Sequence, residues 1–225
     1  VSAELIMPNL PIAVLFDMDG LLVDSEPEWL LAEEEIARGL GLTWELSDQA
    51  HCLGGPLRKV GEYIASRAGF GVEAGVEIEQ RIVSMMVQRV NSGVNAMPGA
   101  RDLIAELKEA NIPIALVSAS PRRLVDAALL GSGLSGFDTI VAGDEVIRTK
   151  PFPDPYLEAA RRLGASPSEC IVLEDSATGV AAGLASGAIV VAVPHLVPIA
   201  PGERLKVANS LVDVSLGYLA GCFIG

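Results

Sequence analysis

Ile12-Ala13-Val14-Leu15-Phe16-Asp17-Met18-Asp19-Gly20 decides the reading of this chain. Five apolar residues in a row, with no polar face, describe a strand buried on both sides, as in a parallel sheet covered by helices. The run ends in two aspartates and a glycine. Asp17 and Asp19 are two apart, so while the chain stays extended they lie on the same side and Met18 points the other way. Two close carboxylates raise each other's proton affinity. A divalent cation beside one restores its anionic form and leaves the other free to hold a proton. One is then suited to be a nucleophile and the other an acid. A calcium loop is the competing reading of this stretch, but it requires an oxygen ligand where Leu21 stands, a glycine where Leu22 stands and a preceding helix.

Outward from this strand, similar apolar runs recur at residues 114–117, 139–142, 170–173 and 189–193. Helical patterns separate them. Residues 100–110 follow Pro98-Gly99 and place Leu103, Ile104 and Leu107 on one face; residues 155–163 follow Asp154 as a candidate N-cap, with proline in the first turn. Strands alternating with helices predict an α/β fold, a doubly wound, Rossmann-like parallel sheet. The gap between the first two strands is too long for one crossover helix. It holds helical periodicity of its own, with Ile78, Ile82, Met86 and Val90 about four residues apart, broken at Gly39-Leu40-Gly41, Gly54-Gly55-Pro56 and Gly69-Phe70-Gly71. The expectation is a discontinuous core, residues 1–24 and 97–225, with a helical insert at 25–96 hinged near Asp24-Ser25 and residues 93–97.

Four of the five runs lead into polar residues at or soon after their carboxyl ends: Asp17 and Asp19, Ser118, Lys150, and Glu174 with Asp175. In open parallel sheets ligands bind at that edge, near the point where strand order reverses, so these side chains are expected to converge. Taken alone, Glu174-Asp175-Ser176 reads as an N-cap, Ser118 as a cap and Lys150 as a loop lysine. Taken together, Asp175 and Glu174 join the first acidic pair as oxygen ligands for Mg²⁺. The Ser118 hydroxyl, the backbone amides of the Ser118-Ala119-Ser120 turn and the Lys150 ammonium supply a phosphate cradle.

The chain has 225 residues and a formal net charge of −13. An acidic balance argues against nucleic-acid and anionic-membrane partners, which require basic patches. Cys52, Cys170 and Cys222 are far apart and show no zinc spacing, which suits a reducing cytoplasm. Residues 1–16 have no basic residue ahead of their apolar run, unlike a secretory signal. Residues 176–202 are uncharged but interrupted by Gly183, Gly187, Pro194, Pro198 and Pro201, so they are too short in each piece to span a bilayer. No obligate protein partner is implied.

Phe16 to Ser25, Ser118-Ala119-Ser120, Lys150-Pro151-Phe152-Pro153-Asp154-Pro155-Tyr156 and Glu174-Asp175-Ser176 through Gly179 form four ordered motifs. Over nearly its whole length the chain resembles the haloacid dehalogenase superfamily, in the branch with β-phosphoglucomutase and small sugar-phosphate phosphatases. The resemblance implies a helical cap that closes over a small phosphate ester. It also implies Mg²⁺ held by the Asp17 carboxylate, the Asp19 backbone carbonyl and Asp175. An aspartate at position 19 implies phosphate-ester chemistry. Mutases of this branch usually carry a histidine five residues past the hinge aspartate, where this chain has Trp29, and the departure favours hydrolysis over mutation. In the cap, Gly54 and Arg58 belong to a segment similar to a loop that faces the active site in relatives. Arg58 reads either as a substrate contact or as a surface helix residue. Glu26 and Trp29 are further substrate candidates. A receiver-type phospho-switch also gathers acids, a hydroxyl and a lysine, but in another order and without a large insert.

Overall fold

The computed structural model describes residues 10–52, 56–195 and 197–223. Among these, strands β1 (Ala13–Phe16), β2 (Ile114–Val117), β3 (Thr139–Val141), β4 (Cys170–Glu174), β5 (Ile189–Ala192) and β6 (Leu205–Val207) form one parallel sheet, ordered β3-β2-β1-β4-β5-β6. The chain steps from β1 outward to β3, returns to the other side of β1 as β4, and steps outward again. The reversal therefore lies between β1 and β4, where such sheets open a crevice at their carboxyl ends.

Alternate residues of each strand enter opposite layers. Val14, Phe16, Ile114, Leu116, Ile171 and Leu173 pack with α5 (Ala100–Glu109) and α6 (Arg122–Ser132). Ala13, Leu15, Ala115, Val117, Cys170 and Val172 pack with α7 (Asp154–Leu163) and α8 (Ala177–Ser186) on the other face. Both faces are covered, which explains why the strands read as unbroken apolar runs. A short α9 (Leu216–Gly221) adds Leu219 to the first layer.

Between β1 and α5 run α1 (Glu26–Gly39), α2 (Leu46–Cys52), α3 (Leu57–Arg67) and α4 (Val72–Asn91). The two connections to the sheet lie side by side: Val23 bridges Ala96 antiparallel, the Asp24 amide donates to the Asn95 carbonyl at 2.9 Å, and the Met97 amide to the Leu22 carbonyl at 2.8 Å. Ile78, Ile82, Met86 and Val90 fall on one buried face of α4, and the apolar cluster they join is continuous with the first layer of the sheet.

Three details differ from the sequence reading. The sixth strand escapes the search for apolar runs because it is three residues long with exposed Lys206 at its centre. The first strand starts at Ala13, since Ile12 is half exposed and only its amide is engaged, on the Glu169 carbonyl. Asp154 does not cap α7. Pro153 holds the cap position, and the Asp154 carboxylate is drawn away by a two-pronged ion pair with Arg148 at 3.1 and 3.0 Å.

Helix α4 crosses α6 so closely that a Cβ at Gly131 would overlap the Val90 carbonyl. Gly131→Ala is expected to destabilise the protein by roughly 1–3 kcal/mol through overpacking against backbone, outweighing the gain of about 1 kcal/mol in helix propensity. Gly39→Ala, where nothing lies within 4 Å, should be neutral or stabilising. Thermal melts of the two variants check the contrast.

Candidate active site

The carboxyl ends of β1, β2 and β4 are tied together by one buried ammonium. Lys150, 5% exposed, donates to Asp17 Oδ1, to the Val117 carbonyl at 2.9 Å and to Glu174 Oε1 at 2.7 Å. Glu174 is fully buried. Its Oε1 also accepts from the Tyr156 hydroxyl at 2.6 Å, and its Oε2 accepts from the Ser176 amide and hydroxyl at 3.3 and 3.1 Å. Ser176 caps α8 by accepting from the Gly179 amide. A side chain at Gly179 would occupy the space of the Glu174 carboxylate, so the glycine is required by the close approach of α8 to that acid.

Asp17, Glu174 and Asp175 place one carboxylate oxygen each within 4.8 Å of one another. Three carboxylates face one ammonium. Burial, then the charge of Glu174, pushes the Asp17 carboxyl up to about 8 in spite of Lys150. Burial, then Asp17 and Glu174, pushes Asp175 up to about 9. Burial opposes the charge on Lys150, but Asp17 and Glu174 outweigh it and hold the ammonium above the usual lysine range. The excess of negative charge and the all-oxygen donor set fit a hard divalent cation. When bound, such an ion would neutralise the carboxylates and draw charge from a phosphoryl oxygen.

Asp19 has different neighbours from Asp17. Its Oδ1 accepts from the Ser25 hydroxyl at 2.6 Å and the Trp29 indole at 3.5 Å, and its Oδ2 from the Ser120 hydroxyl at 3.1 Å. The first turn of α1 is thus pinned to the acid. Met18 between the two aspartates is buried in the apolar cluster, as alternation requires. Ser118 is buried at the end of β2, and its hydroxyl accepts from the Ser120 amide at 3.0 Å. Ala119 beside it is exposed, and its amide donates to no acceptor among the described residues.

The structure therefore brings together Asp17, Lys150, Glu174 and Asp175, and sets Ser118 and Ala119 beside them at the end of β2. Asp19 and Trp29 are joined by a hydrogen bond. Glu26 stands close enough for the Asp19 charge to act on it. Arg58 is not drawn to the acids: half exposed on α3, it pairs with Glu62 at 2.8 Å and Glu79 at 3.8 Å. Gly54 lies outside the described residues. The sequence reading gave no role to Tyr156 or Gly179, and placed Ser25 only at a hinge. Tyr156 looks like one more core residue of an amphipathic helix, and only its hydroxyl on Glu174 sets it apart.

A family model for haloacid dehalogenase-like hydrolases matches residues 13–187, from the first residue of β1 past the last of α8. The chain belongs to the haloacid dehalogenase-like hydrolase family. Hexitol phosphatase B of Escherichia coli (strain K12) is 31% identical over 214 residues, 94% of each chain. Protein CbbY of Rhodobacter capsulatus is 32% identical over 192 residues, 81% of this chain and 85% of its own. Among solved structures, a mutant of CbbY from Rhodobacter sphaeroides in complex with xylulose-(1,5)-bisphosphate superposes with a TM-score of 0.79 at 26% identity, covering 93% of this chain and 99% of that one. β-Phosphoglucomutase from Clostridium difficile, at 22% identity and a TM-score of 0.80, shares the fold. Among the described residues no helix is long and apolar enough to cross a membrane.

The raised carboxyls set a testable pH dependence. In the metal-free hydrolase Asp17 and Asp175 keep protons up to about pH 8–9 that an unfolded chain releases near 4. The folded state then binds more protons across that window, so its stability falls as pH rises through it. A divalent cation competes with those protons. The rise in melting temperature on adding Mg²⁺ is therefore expected to be larger at pH 8.5 than at pH 5.5, read by calorimetry. A melting temperature indifferent to Mg²⁺ at both pH values would count against a metal centre here.

Proposed function

We propose that the protein is a Mg²⁺-dependent phosphatase of a small phosphorylated metabolite, a sugar phosphate or related phosphomonoester, acting through an aspartyl phosphate on Asp17. The observation that carries this reading is the separation of the two first-strand acids. Asp17 sits with Lys150 and the acids of β4, whereas Asp19 hangs from the hydroxyls of Ser25 and Ser120. One environment suits a metal-neutralised nucleophile, the other a carboxyl that exchanges a proton. The relatives named hexitol phosphatase support the substrate class.

In this reading Asp17 attacks phosphorus and Asp19 gives a proton to the departing oxygen. Asp19 then takes one from the water that hydrolyses the aspartyl phosphate. Ser118, the Ala119 amide and Lys150 hold the phosphoryl oxygens. Asp17, Asp175 and the Asp19 backbone carbonyl make up the ligand set for Mg²⁺. Glu174, expected from the sequence to join them, instead orients Lys150, since its two oxygens already accept four hydrogen bonds from Lys150, Tyr156 and Ser176. Residues 25–96 serve as a cap over a core of residues 1–24 and 97–225, and the paired connections at Val23 and Ala96 are its hinge. A cytoplasmic setting agrees with three cysteines that are all buried and free. Hydrolysis is favoured over phosphosugar mutation because Trp29, an indole donor to Asp19 without acid or base function, occupies the place of the mutases' histidine.

Asp17→Asn is expected to abolish phosphate release and covalent labelling. Asp19→Asn should slow turnover of alkyl phosphates by roughly 10²–10⁴-fold, the usual worth of a positioned acid or base. With acetyl phosphate, whose leaving group needs no proton, the Asp19 variant should still label Asp17 and then accumulate the intermediate. Rapid-quench mass spectrometry with Mg²⁺ checks both. Phosphate on a residue other than Asp17 would refute the assignment.

A further inference from the structure

Helix α1 carries five glutamates, and the structure treats them in two ways. Glu34 pairs with Arg38, and Glu28 and Glu35 share Arg89 at 3.2 and 2.8 Å. Glu26 and Glu33 are seven residues apart, hence on one face, and neither has a hydrogen-bond or ion-pair partner among the described residues.

Glu33 is the sharper anomaly. The residue is 8% exposed, among buried Ala32, Ile36 and Ala37, and its carboxylate accepts from no donor among the described residues. Burial, then the charge of Glu26, pushes its carboxyl up to about 7. Asp48, the other buried acid of these four helices, shows what satisfaction looks like. It accepts from the Glu45 amide at 2.8 Å, the Tyr63 hydroxyl at 2.6 Å and Arg67, and these bonds, that of Arg67 foremost, hold it down to about 2. Among the described residues the same helical layer gives one of these acids three donors and the other none.

The unpaired face of α1 begins at the acid of the active site. Ser25 and Trp29 bind Asp19; the charge of Asp19 acts on Glu26, that of Glu26 on Glu33, and that of Glu33 on the Cys52 thiol at the end of α2. A row of acceptors without donors among the described residues thus leads along α1, away from the carboxyl that faces the departing oxygen. Hydroxyl groups on the alcohol part of a substrate can donate to such a row. A carboxylate or second phosphate has only lone pairs to offer and would meet like charge.

We propose that Glu33, with Glu26 between it and Asp19, is a specificity-determining residue. It accepts hydroxyl hydrogens from the alcohol part of the substrate and turns away esters whose alcohol part is itself anionic. This rests on the phosphatase reading and narrows it to uncharged polyhydroxylated leaving groups, a selection that a sugar bisphosphate would fail.

The test is kcat/KM of the wild-type chain, Glu33→Gln and Glu33→Leu with Mg²⁺ on a hexitol 6-phosphate, phosphoglycolate and acetyl phosphate, with melting temperatures alongside. Glu33→Gln should lower the ratio of hexitol phosphate to acetyl phosphate by roughly 10-fold or more, chiefly through KM, as expected for loss of hydrogen bonds to a charged acceptor. It should raise phosphoglycolate relative to acetyl phosphate. Glu33→Leu should melt higher by about 2–4 °C, because a partly desolvated carboxyl is replaced by an apolar side chain. Unchanged substrate ratios in an active protein would overturn the proposal alone. So would an equal loss on all three esters with a lowered melting temperature, which marks a structural role. A wild-type chain inactive on every ester would overturn the phosphatase reading and the proposal with it.

Discussion

The buried ammonium of Lys150 is the interaction on which the rest depends. It touches Asp17 after β1, the Val117 carbonyl of β2 and Glu174 of β4, so it closes the crevice that the reversal of strand order opens. Strand register, the close passage of α8 at Gly179 and the Tyr156 hydroxyl on α7 all serve to keep its partner Glu174 in place. Removing one member of a buried pair leaves the other uncompensated, at a typical cost of 3–5 kcal/mol. The arrangement also explains how a strongly acidic chain can receive an anionic substrate. Attraction is confined to one lysine, a few amides and an acidic cluster able to hold a cation, while the net charge repels.

A second constraint is the attachment of α1 to Asp19. Ser25 and Trp29 at the start of the helix both donate to Asp19, and its face continues through Glu26 to Glu33. In the proposed reading, chemistry and substrate choice then belong to one helix rather than to separate modules. A displacement of α1 alters the hydrogen bonds of the acid and the position of the acceptor row together. The ladder between Val23 and Ala96 couples the two connections, so α1 cannot shift without the chain returning from α4.

Most of the sheet was legible because buried parallel strands are apolar on both faces, and the acids at their ends mark the edge where they converge. The limits have physical causes. The strand at Leu205–Val207 lacks an apolar run because it lies at the sheet edge with Lys206 facing water. Asp154 has the chemistry of a cap, but the better partner is Arg148, and which wins is decided by tertiary geometry. Arg58 and Glu33 show the same in opposite senses. The arginine reads in the sequence as either a substrate contact or a surface helix residue, and it pairs with Glu62 and Glu79. The glutamate is one of three consecutive acids in a helix of mixed character, and only packing shows that its neighbours are paired while it is not.

The strand order has a consequence for synthesis. β1 lies between β2 and β4, where Val14 is in register with Ile114 and Ile171, 100 and 157 residues further along the chain. At translation rates of about 5–20 residues per second, roughly 8–30 s separate the appearance of β1 from that of its second neighbour. For that interval a wholly apolar strand, with two aspartates at its tip, has an open edge of the kind that recruits foreign strands. The helices from α1 to α4 emerge directly after it, and their apolar face merges with the layer that β1 enters. The long insert thus gives the nascent strand something of its own chain to lie against before the sheet exists.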